Sequence, residues 1–91
     1  MAIEQGSGRL IEVKVRVYAG LRSHLPGVPL GQSVALQLRP DATVGEALEE
    51  LGIPLAETKT CFVNGVQRGF GFQLKEGDEL AAFPPIAGGS T

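Results

Sequence analysis

The sequence is short of side chains that do chemistry. Its 91 residues include one cysteine, Cys61, and one histidine, His24. A lone cysteine excludes an intramolecular disulfide, and with only His24 beside it no metal constellation can be built. Cys61 lies in the apolar run Cys61-Phe62-Val63 and reads as a small buried hydrophobe, not a nucleophile. His24 has no acid or serine partner within its own segment, so an exposed or capping role is expected instead of general-base work. A basic excess is missing too. Lys and Arg total 8 against 10 Asp and Glu, a net charge of -2, whereas a nucleic-acid footprint calls for a pI above about 9. No apolar run approaches the ~20 residues that span a bilayer. Met1-Ala2-Ile3-Glu4 lacks the basic start and apolar stretch of a secretory signal, so a cytoplasmic protein with no membrane partner is expected. Length is scarce as well: the chain is well below the ~150 residues used as a soft prior for a domain. A domain of this size hides only about 60–65% of its unfolded surface, which leaves little interior for a deep substrate cavity. Its work is therefore expected at a surface or a terminus.

With 43% hydrophobic and 20% charged residues the composition is that of a globular domain. The charge is unevenly spread. Residues 1–40 carry five basic and two acidic side chains, and residues 41–91 carry three basic and eight acidic ones, net +3 and −5. Such a split reads either as two solvated faces of opposite sign or as one face that steers a partner.

Residues 1–8 mix Glu, Gln, Ser and Gly without periodicity and read as a loose N-terminal arm. From Ile11 to Val17, Ile11, Val13, Val15 and Val17 alternate with Glu12, Lys14 and Arg16, which predicts a half-buried strand. Leu21 and Leu25 could pin a short helical turn before Pro26-Gly27. Val34 to Leu38 alternates again and is compatible with an antiparallel partner for the first strand. Helix signals then coincide. Thr43 and Glu46 form a Thr-x-x-Glu capping box, Val44, Ala47, Leu48 and Leu51 make one apolar stripe, and Gly52 suits the position after the last turn. Ile53 would pack back on Leu48, and Pro54 prevents continuation. Thr60 to Val63, Asn64-Gly65 and Val66 form a hairpin signature with a type I′ turn. Gly69-Phe70-Gly71 lacks the following helix that a phosphate would need and reads as a bend or bulge. A turn at Lys75 to Asp78 leads into a last strand, Glu79 to Phe83, which Pro84 and Pro85 stop. One helix against five short strands predicts an α+β fold, with a mixed sheet covered on one face by that helix.

Three segments carry a resemblance: Val13-Lys14-Val15-Arg16-Val17-Tyr18-Ala19-Gly20-Leu21-Arg22, the helix entry Thr43-Val44-Gly45-Glu46-Ala47-Leu48, and the run from Gly77 through Phe83-Pro84-Pro85 to Gly88-Gly89. Over about residues 11–89 the chain resembles the MoaD/ThiS family of ubiquitin-like sulfur carriers. The Phe-Pro-Pro ending is closest to the small subunit of molybdopterin synthase. The resemblance implies a ubiquitin-like β-grasp domain at residues 9–85, between the arm and a flexible tail at 86–91. It implies a carrier that is not itself an enzyme and holds no cofactor. Its terminal glycine, Gly89, would be adenylated with ATP by an E1-like enzyme and converted to a thiocarboxylate. The sulfur would then be donated, most directly through the large subunit of molybdopterin synthase. Phe83, Pro84, Pro85 and Gly88 are the implied partner-binding residues. Gly88 and Gly89 can thread a narrow channel, and Pro84 and Pro85 stiffen the exit. Phe83 at the strand's end reads as either a core side chain or an apolar anchor.

One departure matters. Carriers of this family end at the second glycine, whereas Ser90 and Thr91 follow here, so the Gly89 carboxylate is tied up in a peptide bond. A protease removes two residues, or the chain has left the sulfur pathway, or the two residues are not native to it. A ubiquitin-like protein modifier, a β-grasp binding module that pairs through its sheet edge, and a carrier for another pathway such as thiamine stand as alternatives.

Overall fold

The computed structural model describes residues 9–29 and 31–85; the expected arm at 1–8 and the tail from 86 onward lie outside the described residues. Strand β1 (Ile11–Val17) forms where the β-branched alternation predicts it, with Val13, Val15 and Val17 buried and Glu12, Lys14 and Arg16 exposed. A 3-10 turn over Ala19–His24 follows and buries Leu21. Strand β2 (Val34–Leu38) returns antiparallel to β1, pairing Val13 with Leu36 and Val15 with Val34. After helix α1 (Val44–Glu50) and a short 3-10 turn at Leu55–Glu57 come the hairpin strands β3 (Thr60–Val63) and β4 (Val66–Arg68), and then β5 (Glu79–Phe83). The sheet order is β2-β1-β5-β3-β4, with β1 and β5 parallel and the other pairs antiparallel. This is the mixed five-stranded β-grasp sheet that the sequence predicted, with the last strand at its centre.

Helix α1 is seven residues long, too short to persist alone in water. Its ends show what holds it. The Thr43 hydroxyl accepts from the Glu46 N–H at 3.3 Å while the Glu46 carboxylate accepts from the Thr43 N–H at 3.0 Å, which completes the capping box. The two remaining first-turn donors go to the segment after the hairpin: Val44 N–H to the Phe72 carbonyl and Gly45 N–H to the Phe70 carbonyl, both at 2.9 Å. Gly45 sits against that segment: a methyl group there would meet the Phe70 Cβ and carbonyl oxygen at 3.4 Å, close but ordinary van der Waals contact. At the other end Leu51 is the cap, Gly52 takes φ 80°, and the Ile53 N–H reaches the Leu48 carbonyl at 2.9 Å. The helix thus ends one residue before the expected Leu51 in the foreseen Schellman geometry.

The apolar stripe of α1 (Val44, Ala47, Leu48) lies on Val13, Val15, Leu80 and Ala82 from the sheet, with Leu21, Ile53 and Leu74 closing the sides. Asn64 (φ 53°) and Gly65 (φ 85°) make the I′ hairpin turn. Two features depart from the sequence reading. The Gly69–Gly71 bend is also a cap for α1. And Ala19 adopts φ 52°, a left-handed conformation that costs an L-residue about 1 kcal/mol or more. Ala19→Gly relieves that strain, and the thermal midpoint is expected to rise by a few degrees, equivalent to about 0.5–1 kcal/mol. An unchanged or lowered midpoint in a thermal melt would show the turn to be unstrained.

Candidate functional site at the end of the last strand

Because β5 is central, the chain leaves the sheet from between two strands. The Tyr18 N–H donates to the Ala82 carbonyl at 3.1 Å on one side, and the Lys59 N–H donates to the Phe83 carbonyl at 2.8 Å on the other. The last two carbonyls of β5 are therefore held in place. Pro84 and Pro85 then end the ladder, since neither can donate to a neighbouring strand.

Alternation along β5 turns Leu80 and Ala82 into the core and leaves Phe83 on the open face, opposite α1, half-buried. There it stacks on Tyr18 with centroids 4.4 Å apart and planes 7° from parallel, and it meets the edge of Phe62 at 5.8 Å and 85°. Each such pair contributes roughly 0.5–1.5 kcal/mol beyond burial. Phe83 is thus neither core nor a free anchor; it is the middle ring of an aromatic trio that buttresses the exit. Beside the trio runs an apolar groove of about 1030 Å³ whose walls include Ala19, Gly20, Lys59, Thr60, Pro84 and Pro85. On the same face a second hollow of about 350 Å³ lies over Ala81, bordered by Lys14, Arg16, Phe62 and Glu79. Among the described residues neither Lys14 nor Arg16 has a carboxylate partner.

The structure thus brings together Phe83, Pro84 and Pro85 of the residues singled out from the sequence. Gly88, Gly89, Ser90 and Thr91 lie outside the described residues. Tyr18 and Phe62 were not singled out. Their strand alternation alone puts them on the polar face, each beside a buried neighbour (Val17, Cys61), and that is the signal that could have found them. His24 gains an acid partner that its own segment lacks: its Nε2 lies 2.8 Å from Oε1 of Glu57, 33 residues on, and ties the two 3-10 turns together. Cys61 faces the core as expected, and burial raises its thiol above the ordinary 9.0. Among the described residues no three His, Cys, Asp or Glu side chains cluster as metal ligands, and no helix is long and apolar enough to cross a membrane.

Two outcomes are expected. Phe83→Ala should cost about 1–2 kcal/mol in denaturant unfolding; a loss in the 3–5 kcal/mol range of a fully buried ring would mark Phe83 as core. For Cys61 the folded state holds the proton more tightly than the unfolded one. Its contribution to stability is therefore complete below pH 9 and falls as pH rises beyond that. Cys61→Ala should flatten the decline of stability above pH 9, and a decline unchanged by the substitution would refute this.

No curated protein matches the chain. Several solved structures do. A Haloferax volcanii protein, HVO 2177, superposes with a TM-score of 0.69 at 25% identity, covering 87% of each chain. Small archaeal modifier protein 1 of the same organism gives 0.66 at 26% identity, covering 84% of this chain and 99% of that one. A candidate molybdopterin converting factor subunit 1 from Pyrococcus furiosus gives 0.65 at 26%, with the same coverage. These neighbours share the ubiquitin-like β-grasp, in keeping with the resemblance read from the sequence. Residues 10–88 match the Mut7-C ubiquitin family, and the chain belongs to that family of ubiquitin-like domains.

Proposed function

We propose that this domain is a sulfur carrier whose reactive group is the carboxylate of Gly89, with the chemistry supplied by partner enzymes. The observation that carries the reading is the exit geometry. A central strand pinned at its last two carbonyls delivers Phe83-Pro84-Pro85 beside an apolar groove, so the chain beyond leaves from a fixed point. A pre-set exit lowers the ordering cost when a terminal segment enters an enzyme's channel. The likeness to a molybdopterin converting factor subunit supports the same reading.

On this reading residues 1–8 are an arm, 9–85 the docking domain and 86–91 the reactive tail. Hydrolysis of the Gly89–Ser90 bond comes first and frees the carboxylate. In an E1-like adenylating enzyme that carboxylate attacks the α-phosphorus of ATP and pyrophosphate leaves. Hydrosulfide then adds to the acyl carbon, AMP departs, a proton is released and a thiocarboxylate remains. The large subunit of molybdopterin synthase would receive that sulfur, in the cytoplasm. Phe83, Pro84, Pro85 and Gly88 line the route, and Tyr18 and Phe62 hold the apolar surface beside it. A second reading, supported by the likeness to small archaeal modifier protein 1, has a lysine amine of a target protein displace AMP to form an isopeptide bond.

The chain ending at Thr91 is expected to be inert with its cognate adenylase. A version ending at Gly89 should form the adenylate and, with sulfide, gain the mass of one sulfur-for-oxygen exchange. One ending at Gly88 should not, because its carboxylate is drawn back by up to ~3.5 Å, and a misplacement of ~1 Å already costs about a hundredfold in rate. Intact mass spectrometry reads all three. Failure of the Gly89 version would overturn the carrier reading, and a lysine adduct without sulfur gain would favour the modifier.

A further inference from the structure

The geometry points to a second docking site, independent of the tail: the edge of β2, unpaired among the described residues, which takes an extended segment of another protein with alternating apolar and Lys/Arg side chains. The hydrogen-bond directions locate the free groups. On β1, the Glu12 carbonyl and the N–H groups of Lys14 and Tyr18 all bond on the β5 side. Val13 and Val15 therefore turn their backbone groups toward β2, where Leu36 and Val34 stand opposite. Ala35 and Gln37 alternate with those residues, so their N–H and C=O groups point away from the sheet, at its edge.

The two edges are built differently. The far one, β4, is three residues long, carries Arg68 and ends at Gly69, which are features that discourage pairing. Strand β2 is five residues, Val-Ala-Leu-Gln-Leu, without a charge, a proline or a glycine. Nothing in its sequence blocks another strand. Where β2 ends, a groove of about 430 Å³ opens between the edge and α1. Leu10, half exposed, contributes its apolar surface, the buried Leu38 and Ala42 lie at its base, and Glu46, Glu49 and Glu50 stand along it. Arg39 meets Glu46 at 3.4 Å, but among the described residues Glu49 and Glu50 have no cationic partner.

An added strand sends alternate side chains to one face, so an alternating segment turns its Lys or Arg residues together into this groove, where their alkyl stems lie on the apolar part and their charges meet the carboxylates. Backbone pairing supplies affinity, and the alternate pockets supply specificity. Charge selects the occupant. A second copy pairing through β2 would bring a strand without a charge, Val-Ala-Leu-Gln-Leu, and leave the carboxylates of the groove uncompensated. The chain's own first eight residues contain Glu4 and neither lysine nor arginine. A basic and apolar partner segment is what complements the groove.

The test uses the full chain labelled with nitrogen-15, titrated with a blocked peptide of alternating lysine and valine. Controls are the same peptide with glutamate for lysine and one with proline at its centre. The lysine peptide should shift the amides of Ala35 and Gln37 and slow their hydrogen exchange. The glutamate and proline peptides should bind about tenfold more weakly, equivalent to ~1.4 kcal/mol. Changing Glu49→Gln together with Glu50→Gln should weaken the lysine peptide and strengthen the glutamate peptide, so that the two affinities converge; these exposed positions tolerate glutamine within the helix. Equal affinity for lysine and glutamate peptides, shifts centred on Tyr18 and Phe83, or no binding would overturn the proposal. So would protection of Ala35 and Gln37 before peptide is added: if lost on dilution it means a second copy, and if unchanged by dilution it means the chain's own arm.

Discussion

The parallel pairing of β1 with β5 is the contact on which the rest of the domain depends. Four register pairs, from Lys14 with Glu79 to Val17 with Ala82, join the first strand to the last in the middle of the sheet. Everything else is attached to one member or the other: β2 to the outer side of β1, the β3–β4 hairpin to the outer side of β5. The buried side chains of this pair, Val13, Val15, Leu80 and Ala82, are the floor on which α1 rests. A parallel pair of sequence-distant strands requires a crossover connection, and α1 lies within that connection, on one face only. Among the described residues no helix covers the other face. There Tyr18, the residue just after β1, and Phe83 of β5 form the stacked pair at the exit.

This arrangement separates two surfaces. The exit lies where β1 and β5 end, whereas the groove beside β2 lies where β1 begins, at Leu10 and Leu38. At 3.3 Å per residue the length of β1 puts them about 20 Å apart. They also differ in character. The exit groove is apolar with Lys59 among its walls, while the β2 groove is edged by Glu46, Glu49 and Glu50 beside Arg39.

Elements set by local chemistry were legible in the sequence. The period-two alternation of Ile11 to Val17, the Thr43–Glu46 box, Gly52 with Ile53, and Asn64-Gly65 each act over a few residues, and each stands where its residues require. What was not legible depends on partners distant along the chain. Nothing near His24 announces Glu57, and nothing in Gly69-Phe70-Gly71 shows that its carbonyls close the first turn of α1. The left-handed Ala19 is hidden for a related reason, since a glycine lies next to it and the usual signal for that conformation is displaced by one residue. At the candidate site the Phe-Pro-Pro run was legible because proline ends a ladder wherever it stands. The aromatic trio was not, because stacking Tyr18 on Phe83 needs the β1–β5 register.

A sheet whose middle strand is the last to be made cannot close during synthesis until that strand is available. Until Glu79–Phe83 appear, β1 lacks its inner neighbour, the β3–β4 hairpin has nothing to join, and the floor beneath α1 is half missing. Such long-range pairing makes folding wait on the distal end of the chain. On the carrier reading proposed above, the wait acts as inspection. A chain broken off before β5 lacks the centre of its sheet, so on that reading only molecules that carry the strand leading to the proposed reactive end would become competent to dock.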